Sequence, residues 1–363
     1  MERYRIPLVP GPVSVPDEVL GMAIVNYGSG MIEPEYFAMY KECERLLQQL
    51  MQTRSRVVIQ TGEGMLALWT ALKSTLNPGD KVLAISTGMF GEGLAAMARA
   101  IGCETRVVAH EFNETVHDFD RVEREIVDFR PRMITMVQCE TPSGTLNPVR
   151  EIGELKRRHG VPLLCADMIS GIGGVEVEVD AWGVDLALGA SQKCLSSPAS
   201  LAFLSVSEAA WERVHEVGYV GYEALLPFAA ALESGEFPYT PYWQGLAQLK
   251  RACELIMEEG MDVCFARHRE VAGYCRERLS GMGIALYPEA GRATCSPTVT
   301  AARVPEALGW EKLDAALRAR GAVFGNNFGA LAGKVFRVGH MGSQANIEMV
   351  AAAMDILECI VRR

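Results

Sequence analysis

Short apolar runs rich in β-branched residues recur about every 25 residues along the first two thirds of the chain, at 56–59, 81–85, 106–109, 133–137, 162–166, 184–188 and 201–206. Amphipathic stretches such as 64–76 and 148–158 lie between them, with turn signals at Asn77-Pro78-Gly79-Asp80 and His159-Gly160. Strands alternating with helices at this spacing are the pattern of βαβ units. The runs lack polar alternation, as expected of strands covered by helices on both faces. The pattern predicts a mostly parallel, open sheet in a large α/β domain. A long helical stretch follows at 244–281, then strand 298–302, helix 310–320, strand 334–339 and helix 346–361, the outline of a smaller α+β domain. The expected division is an N-terminal arm at 1–25, a large domain at 26–240, and a linking helix with a C-terminal domain at 241–363.

Composition narrows the function classes. With 363 residues, 49% hydrophobic and 22% charged, the chain suits a globular protein of one large and one smaller domain. Its net charge of -10 comes from scattered side chains, leaving no basic stripe for a phosphate backbone, so nucleic acid is not an expected partner. The start Met1-Glu2-Arg3-Tyr4-Arg5 leads into proline-rich chain and not an apolar leader. No apolar run reaches membrane-span length, so a cytoplasmic protein with no membrane contact is expected. The ten cysteines contain no C-x-x-C pair and no Cys/His cluster at zinc spacing. They read as buried, reduced side chains, with no disulfide framework and no metal.

In open α/β sheets ligands gather beyond the carboxyl ends of the strands, and four positions there draw attention. Gly62-Glu63-Gly64-Met65 joins a strand to a helix; it reads as an anion-binding turn or as an ordinary tight turn. Gly62-x-Gly64-x-x-Ala67 also matches a dinucleotide fingerprint. A nicotinamide-dependent dehydrogenase would need an acidic residue at the end of the second strand, where Ser86-Thr87-Gly88 stands instead. Asp167 closes a buried strand, either as a turn cap or as a carboxylate awaiting a partner. Lys193 follows the next strand, 26 positions after Asp167. Taken alone it could be a surface lysine. Together the two suit a pyridine-ring cofactor, with its ring nitrogen near the carboxylate and its aldehyde carbon near the amine. Arg337 interrupts an apolar strand in the second domain; its fork would take a ligand carboxylate or a protein one. His340 reads as structural.

Across nearly its whole length the chain resembles the fold-type I, class V pyridoxal-phosphate aminotransferases, specifically the alanine–glyoxylate and serine–pyruvate group. The likeness rests on Val9-Pro10-Gly11-Pro12-Val13, Thr61-Gly62-Glu63-Gly64, Gly88-Met89-Phe90-Gly91, Glu140-Thr141-Pro142-Ser143-Gly144, Cys165-Ala166-Asp167, Gly189-Ala190-Ser191-Gln192-Lys193, Pro238-Tyr239-Thr240-Pro241, Ser296-Pro297-Thr298-Val299-Thr300 and Phe336-Arg337-Val338-Gly339-His340. It implies pyridoxal 5'-phosphate bound to Lys193 through a Schiff base. Asp167 would then hold the ring nitrogen protonated, Phe90 stack on the ring, Thr141 bond near its O3′ or phosphate, and Gln192 border it. The turn Gly62, Glu63, Gly64 and Met65 would receive the phosphate, and Arg337 the substrate carboxylate. The resemblance further implies a homodimer with shared active sites, Thr240 reaching the neighbouring phosphate, and transfer of an amino group from a small amino acid to a 2-oxo acid.

Cysteine desulfurases share the fold, but they place a histidine before the Schiff-base lysine, where this chain has Gln192. A non-enzymatic binding protein would leave Lys193, Asp167 and Arg337 without a purpose. Glu63 departs from the group's usual hydroxyl- or glycine-rich turn and resembles pyridoxamine–pyruvate transaminase, which uses the phosphate-free vitamer as substrate and shares the run Thr141 to Thr145. Phe90 and Phe328 differ from that enzyme, which has a tyrosine and a second arginine there.

Overall fold

Seven strands line up in one sheet in the order Arg56–Thr61, Leu201–Val206, Leu186–Ala190, Leu163–Asp167, Met133–Val137, Lys81–Ser86, Glu104–Ala109. Leu201–Val206 runs antiparallel to both its neighbours, and every other pairing is parallel. The structure, a computed structural model, describes residues 4–362; Met1–Arg3 of the expected arm and Arg363 of the expected C-terminal domain lie outside the described residues. The four sheet strands from Met133 to Val206 are buried at every residue, matching the unalternated apolar runs.

The helices start and stop where local chemistry directs. Asp118 accepts the N–H of Arg121 to cap Phe119–Phe129, Ser207 accepts that of Ala210 to cap Glu208–Val217, and Asn346 caps Ile347–Val361. The helical stretch expected to run unbroken over 244–281 is two helices, Trp243–Glu259 and Met261–Gly281. Gly260 between them takes φ 91°, a backbone conformation that ends a helix and that glycine adopts without steric cost.

The apolar core forms two main clusters. One spans Tyr36 to Cys264 around the seven-stranded sheet; the other gathers Ile6, Leu8 and residues from Val271 to Ile360. Val299–Arg303 and Val335–Gly339 pair antiparallel in the second region. Ile6–Leu8 pairs in parallel with Ala322–Phe324, so the start of the chain is stitched to its last third before it crosses to the sheet. Eight of the ten cysteines are buried, and none of the described ones is in a disulfide. No described helix is long and apolar enough to cross a membrane.

Candidate active site

Asp167 is the last residue of its strand and pairs in register with Leu188 on the next, so the turn Ser191-Gln192-Lys193 leaves the sheet beside it. Adjacent parallel strands end on the same side, and this is what brings two residues 26 positions apart to one place. A cavity of about 250 Å³ opens there, lined by Glu63, Gly64, Met65, Leu68, Phe90, Cys139, Thr141, Asp167, Ile169, Ser170, Gln192 and Lys193. Eight of the sequence-predicted site residues share this cavity. Gly62, Thr240 and Arg337 are not among its lining.

The electrostatics of the pair follow from burial. The Asp167 carboxyl accepts a 2.9 Å hydrogen bond from the Ile169 N–H and makes no salt bridge to a described residue. Burial pushes its pKa up to about 6, while the Ile169 N–H and the Lys193 charge pull the other way. Burial likewise holds the Lys193 amine below the ordinary lysine range; the Arg337 charge adds to that, and Asp167 opposes it. Lys193 Nζ donates a 2.7 Å hydrogen bond to the Pro10 carbonyl.

These residues fit a pyridine-ring cofactor on what the structure itself presents. A buried carboxylate makes no salt bridge among the described residues, an amine is depressed toward its nucleophilic form, and the buried Gln192 Oε1 has no hydrogen-bond partner among the described residues. The phosphate end differs. Glu63 caps helix Gly64–Thr75: its Oε1 accepts the Met65 N–H at 3.1 Å, and its Oε2 accepts from Gln192 Nε2 at 3.4 Å. A carboxylate of the chain itself thus takes an N–H of the anion-binding turn.

Arg337 meets no carboxylate among the described residues. Its Nε donates to the Asn326 carbonyl at 2.9 Å, Nη2 donates to the same oxygen, and the guanidinium lies 4.7 Å from the Phe328 ring centroid. Burial lowers its pKa to about 10, and its charge reaches the Lys193 amine. Thr240 is exposed, with its hydroxyl against Met31 Sδ at 3.6 Å. Asp80 is bound by Arg132 and Arg213, so it is not placed to hold a ribose after the second strand. His340 is fully buried between Thr300 and the Pro297 carbonyl, as a structural histidine should be.

Sequence reasoning passed over Glu140. This fully buried residue accepts the N–H groups of Phe90 at 3.0 Å and Gly91 at 3.3 Å, at the start of helix Met89–Ile101, and burial pushes its pKa up to about 7. A Cβ on Gly88 would lie 2.3 Å from Glu140 Cγ, so the turn that presents Phe90 closes directly over this carboxyl. Its signal was present as an acidic residue just beyond the end of a buried strand, next to Thr141.

A profile of the aminotransferase class-V family matches residues 23–323. An uncharacterized aminotransferase of Methanocaldococcus jannaschii is 33% identical, over 96% of this chain and 90% of its own. The pyridoxamine–pyruvate transaminase of Mesorhizobium japonicum is 30% identical, over 97% of this chain and 90% of its own. The crystal structure of ureidoglycine–glyoxylate aminotransferase from Bacillus subtilis superposes with a TM-score of 0.93 at 28% identity, covering 100% of this chain and 94% of that one. With this fold and with amine and carboxylate meeting in one cavity, the chain belongs to the aminotransferase class-V family and is a pyridoxal-phosphate-dependent aminotransferase of fold type I.

Proposed function

We propose that this enzyme moves an amino group from a small amino acid of the alanine or serine type to a 2-oxo acid such as glyoxylate or pyruvate, with Lys193 as the cofactor-bearing and proton-moving residue. The observation that carries the reading is the meeting of the depressed Lys193 amine and the unpaired Asp167 carboxyl in one cavity. When bound, pyridoxal phosphate supplies an electron sink for the pair released at the substrate Cα. Lys193 would hold the cofactor and move the proton taken from the substrate Cα, a task for an amine whose pKa burial has brought down. Asp167 holds a proton at the ring nitrogen. Phe90, fixed through its own N–H by Glu140, would pack on the bound ring, and Thr141 and Gln192, which line the same cavity, would bond its polar rim. Arg337 orients the substrate carboxylate; among the described residues its guanidinium meets only the Asn326 carbonyl and the Phe328 ring and no carboxylate, which supports this role.

The working unit in this reading is a homodimer. Ile24, Ile32 and Val220 are 88%, 74% and 87% exposed, and Tyr222 and Met65 are exposed as well, apolar side chains that a second copy of the chain would cover. Thr240 is exposed and is the residue we assign to the neighbouring phosphate. Light scattering at working concentration tests this, with a fully active monomer counting against it.

A second reading is favoured by one observation, the Glu63 carboxylate on the Met65 N–H. If Glu63 keeps that place, a phosphate meets a like charge where it needs donors. The enzyme would then take the phosphate-free vitamer as its amino-group partner, as the name of the Mesorhizobium relative states for that protein. Titration with pyridoxal and with pyridoxal phosphate separates the two readings.

A further inference from the structure

Outside the cavity, the loop after strand Glu104–Ala109 gathers three metal-ligating side chains. His110, Glu114 and His117 each offer one ligand atom, and these atoms all lie within 4.8 Å of one another. Glu114 is buried; its Oε1 is 2.8 Å from Arg292 Nη1, and its Oε2 is 3.9 Å from His117 Nδ1. His117 Nδ1 also lies 2.9 Å from the Thr115 carbonyl. A carbonyl partner at one ring nitrogen fixes the tautomer that leaves a lone pair on the other, as in metal-ligating histidines. His110 Nε2 is shut off from solvent with no hydrogen-bond partner among the described residues. A buried imidazole nitrogen left in that state carries a desolvation cost that a ligand bond relieves.

We propose that His110, Glu114 and His117 form a site for a divalent cation of the zinc class, with water completing the coordination. Two imidazoles and one carboxylate suit zinc, cobalt or nickel, whereas magnesium and calcium prefer all-oxygen shells. Zinc bonds of about 2.0–2.1 Å put tetrahedral ligand atoms roughly 3.3 Å apart, so ligand atoms that lie within 4.8 Å of one another close by up to about 1.5 Å on binding. The His117 side chain, 44% exposed, has room to make that movement. The backbone that carries the ligands is already held. The Glu114 N–H donates to the Glu111 carbonyl at 2.9 Å, the Thr115 N–H to the Arg292 carbonyl at 3.1 Å, and the Val116 N–H to Asn147 Oδ1 at 3.2 Å. Such anchoring lowers the ordering cost of binding. Burial holds the His110 imidazole below its ordinary pKa; the His117 and Arg121 charges act the same way, and Glu114 and Asp118 oppose them. Arg292 is the counterweight, since its charge on Glu114 weakens the pull on a cation.

The test is calorimetric titration of metal-stripped holoenzyme with Zn²⁺, repeated on His117→Ala and Glu114→Gln, with Co²⁺ absorption to identify the donors. The proposal expects one cation per chain, at least tenfold weaker binding in each variant, and cobalt bands free of sulfur-to-metal charge transfer. Circular dichroism shows whether each variant is folded. Thiols and cofactor are the same in all three proteins, so a difference between them reports this site alone. No stoichiometric binding, equal affinity in folded His117→Ala, or a thiolate band would overturn the proposal.

Discussion

Lys193 Nζ donates its hydrogen bond to the carbonyl of Pro10, a residue that sits just beyond the strand Ile6–Leu8. The arm that pairs with Ala322–Phe324 therefore ends against the amine at the centre of the site. Gly11 follows at φ 85°, and a Cβ there would stand 2.7 Å from Lys193 Nζ and 2.6 Å from its Cδ. Gly11→Ala should cost about 1–2 kcal/mol of backbone strain and displace the amine. The expected outcome is a kcat lowered at least about tenfold in a protein that still folds. Unchanged kcat would show that the amine does not depend on this approach.

Lys193→Ala should abolish transamination, because no neighbouring group can replace the moving proton carrier. Steady-state assay with alanine or serine as donor and glyoxylate or pyruvate as acceptor checks this; turnover near that of the parent contradicts the assigned role.

Asp167→Asn keeps the shape and removes the charge. Loss of a positioned ionic partner for the ring nitrogen should lower kcat by roughly a hundredfold, the scale of one preorganised electrostatic group. A full rate would return Asp167 to the role of a turn residue bonded to Ile169.

For Arg337→Lys the expectation is a rise in KM of about tenfold for both amino acid and 2-oxo acid, with kcat less affected, since an ammonium cannot reproduce the fork. KM unchanged for both substrates would assign Arg337 to holding the Asn326 carbonyl.

Glu63→Ser separates the two readings of the phosphate turn. Under the primary reading the parent binds pyridoxal phosphate more tightly than pyridoxal, and the variant more tightly still. Tighter binding of pyridoxal by the parent, reversed in the variant, would establish the phosphate-free reading instead.

Glu140 gives a pH prediction. Its pKa is raised in the folded protein to about 7, so between the unfolded carboxyl value near 4.3 and that point the folded state keeps a proton that the unfolded state loses. Its contribution to stability is therefore full at low pH and declines as pH rises through about 7. Urea unfolding of apo-protein should show the parent losing stability relative to Glu140→Gln across this window, and a constant difference there would be inconsistent with a protonated Glu140.

Much of this was legible in the chain. Strands buried on both faces announce themselves as apolar runs, and the rule that parallel strands end together turns Asp167 and Lys193 into neighbours without any coordinates. Ile6–Leu8 and Ala322–Phe324 are three residues each, too short to show a period, and only their pairing makes them strands. Glu140 escaped because its partners are backbone N–H groups 50 positions away, which carry no side-chain signature. Gly260 was legible only as a residue type; its positive φ belongs to the packing of the two helices it separates. His110, Glu114 and His117 lie within one loop, yet their meeting depends on the fold of that loop and not on a recognisable spacing.

The most direct test of the central claim is borohydride reduction of the holoenzyme followed by mass mapping of its peptides. The account predicts a pyridoxyl group on Lys193, with no comparable label elsewhere in the chain. A label on another lysine, or none on Lys193 in protein that is turning over substrate, would contradict it.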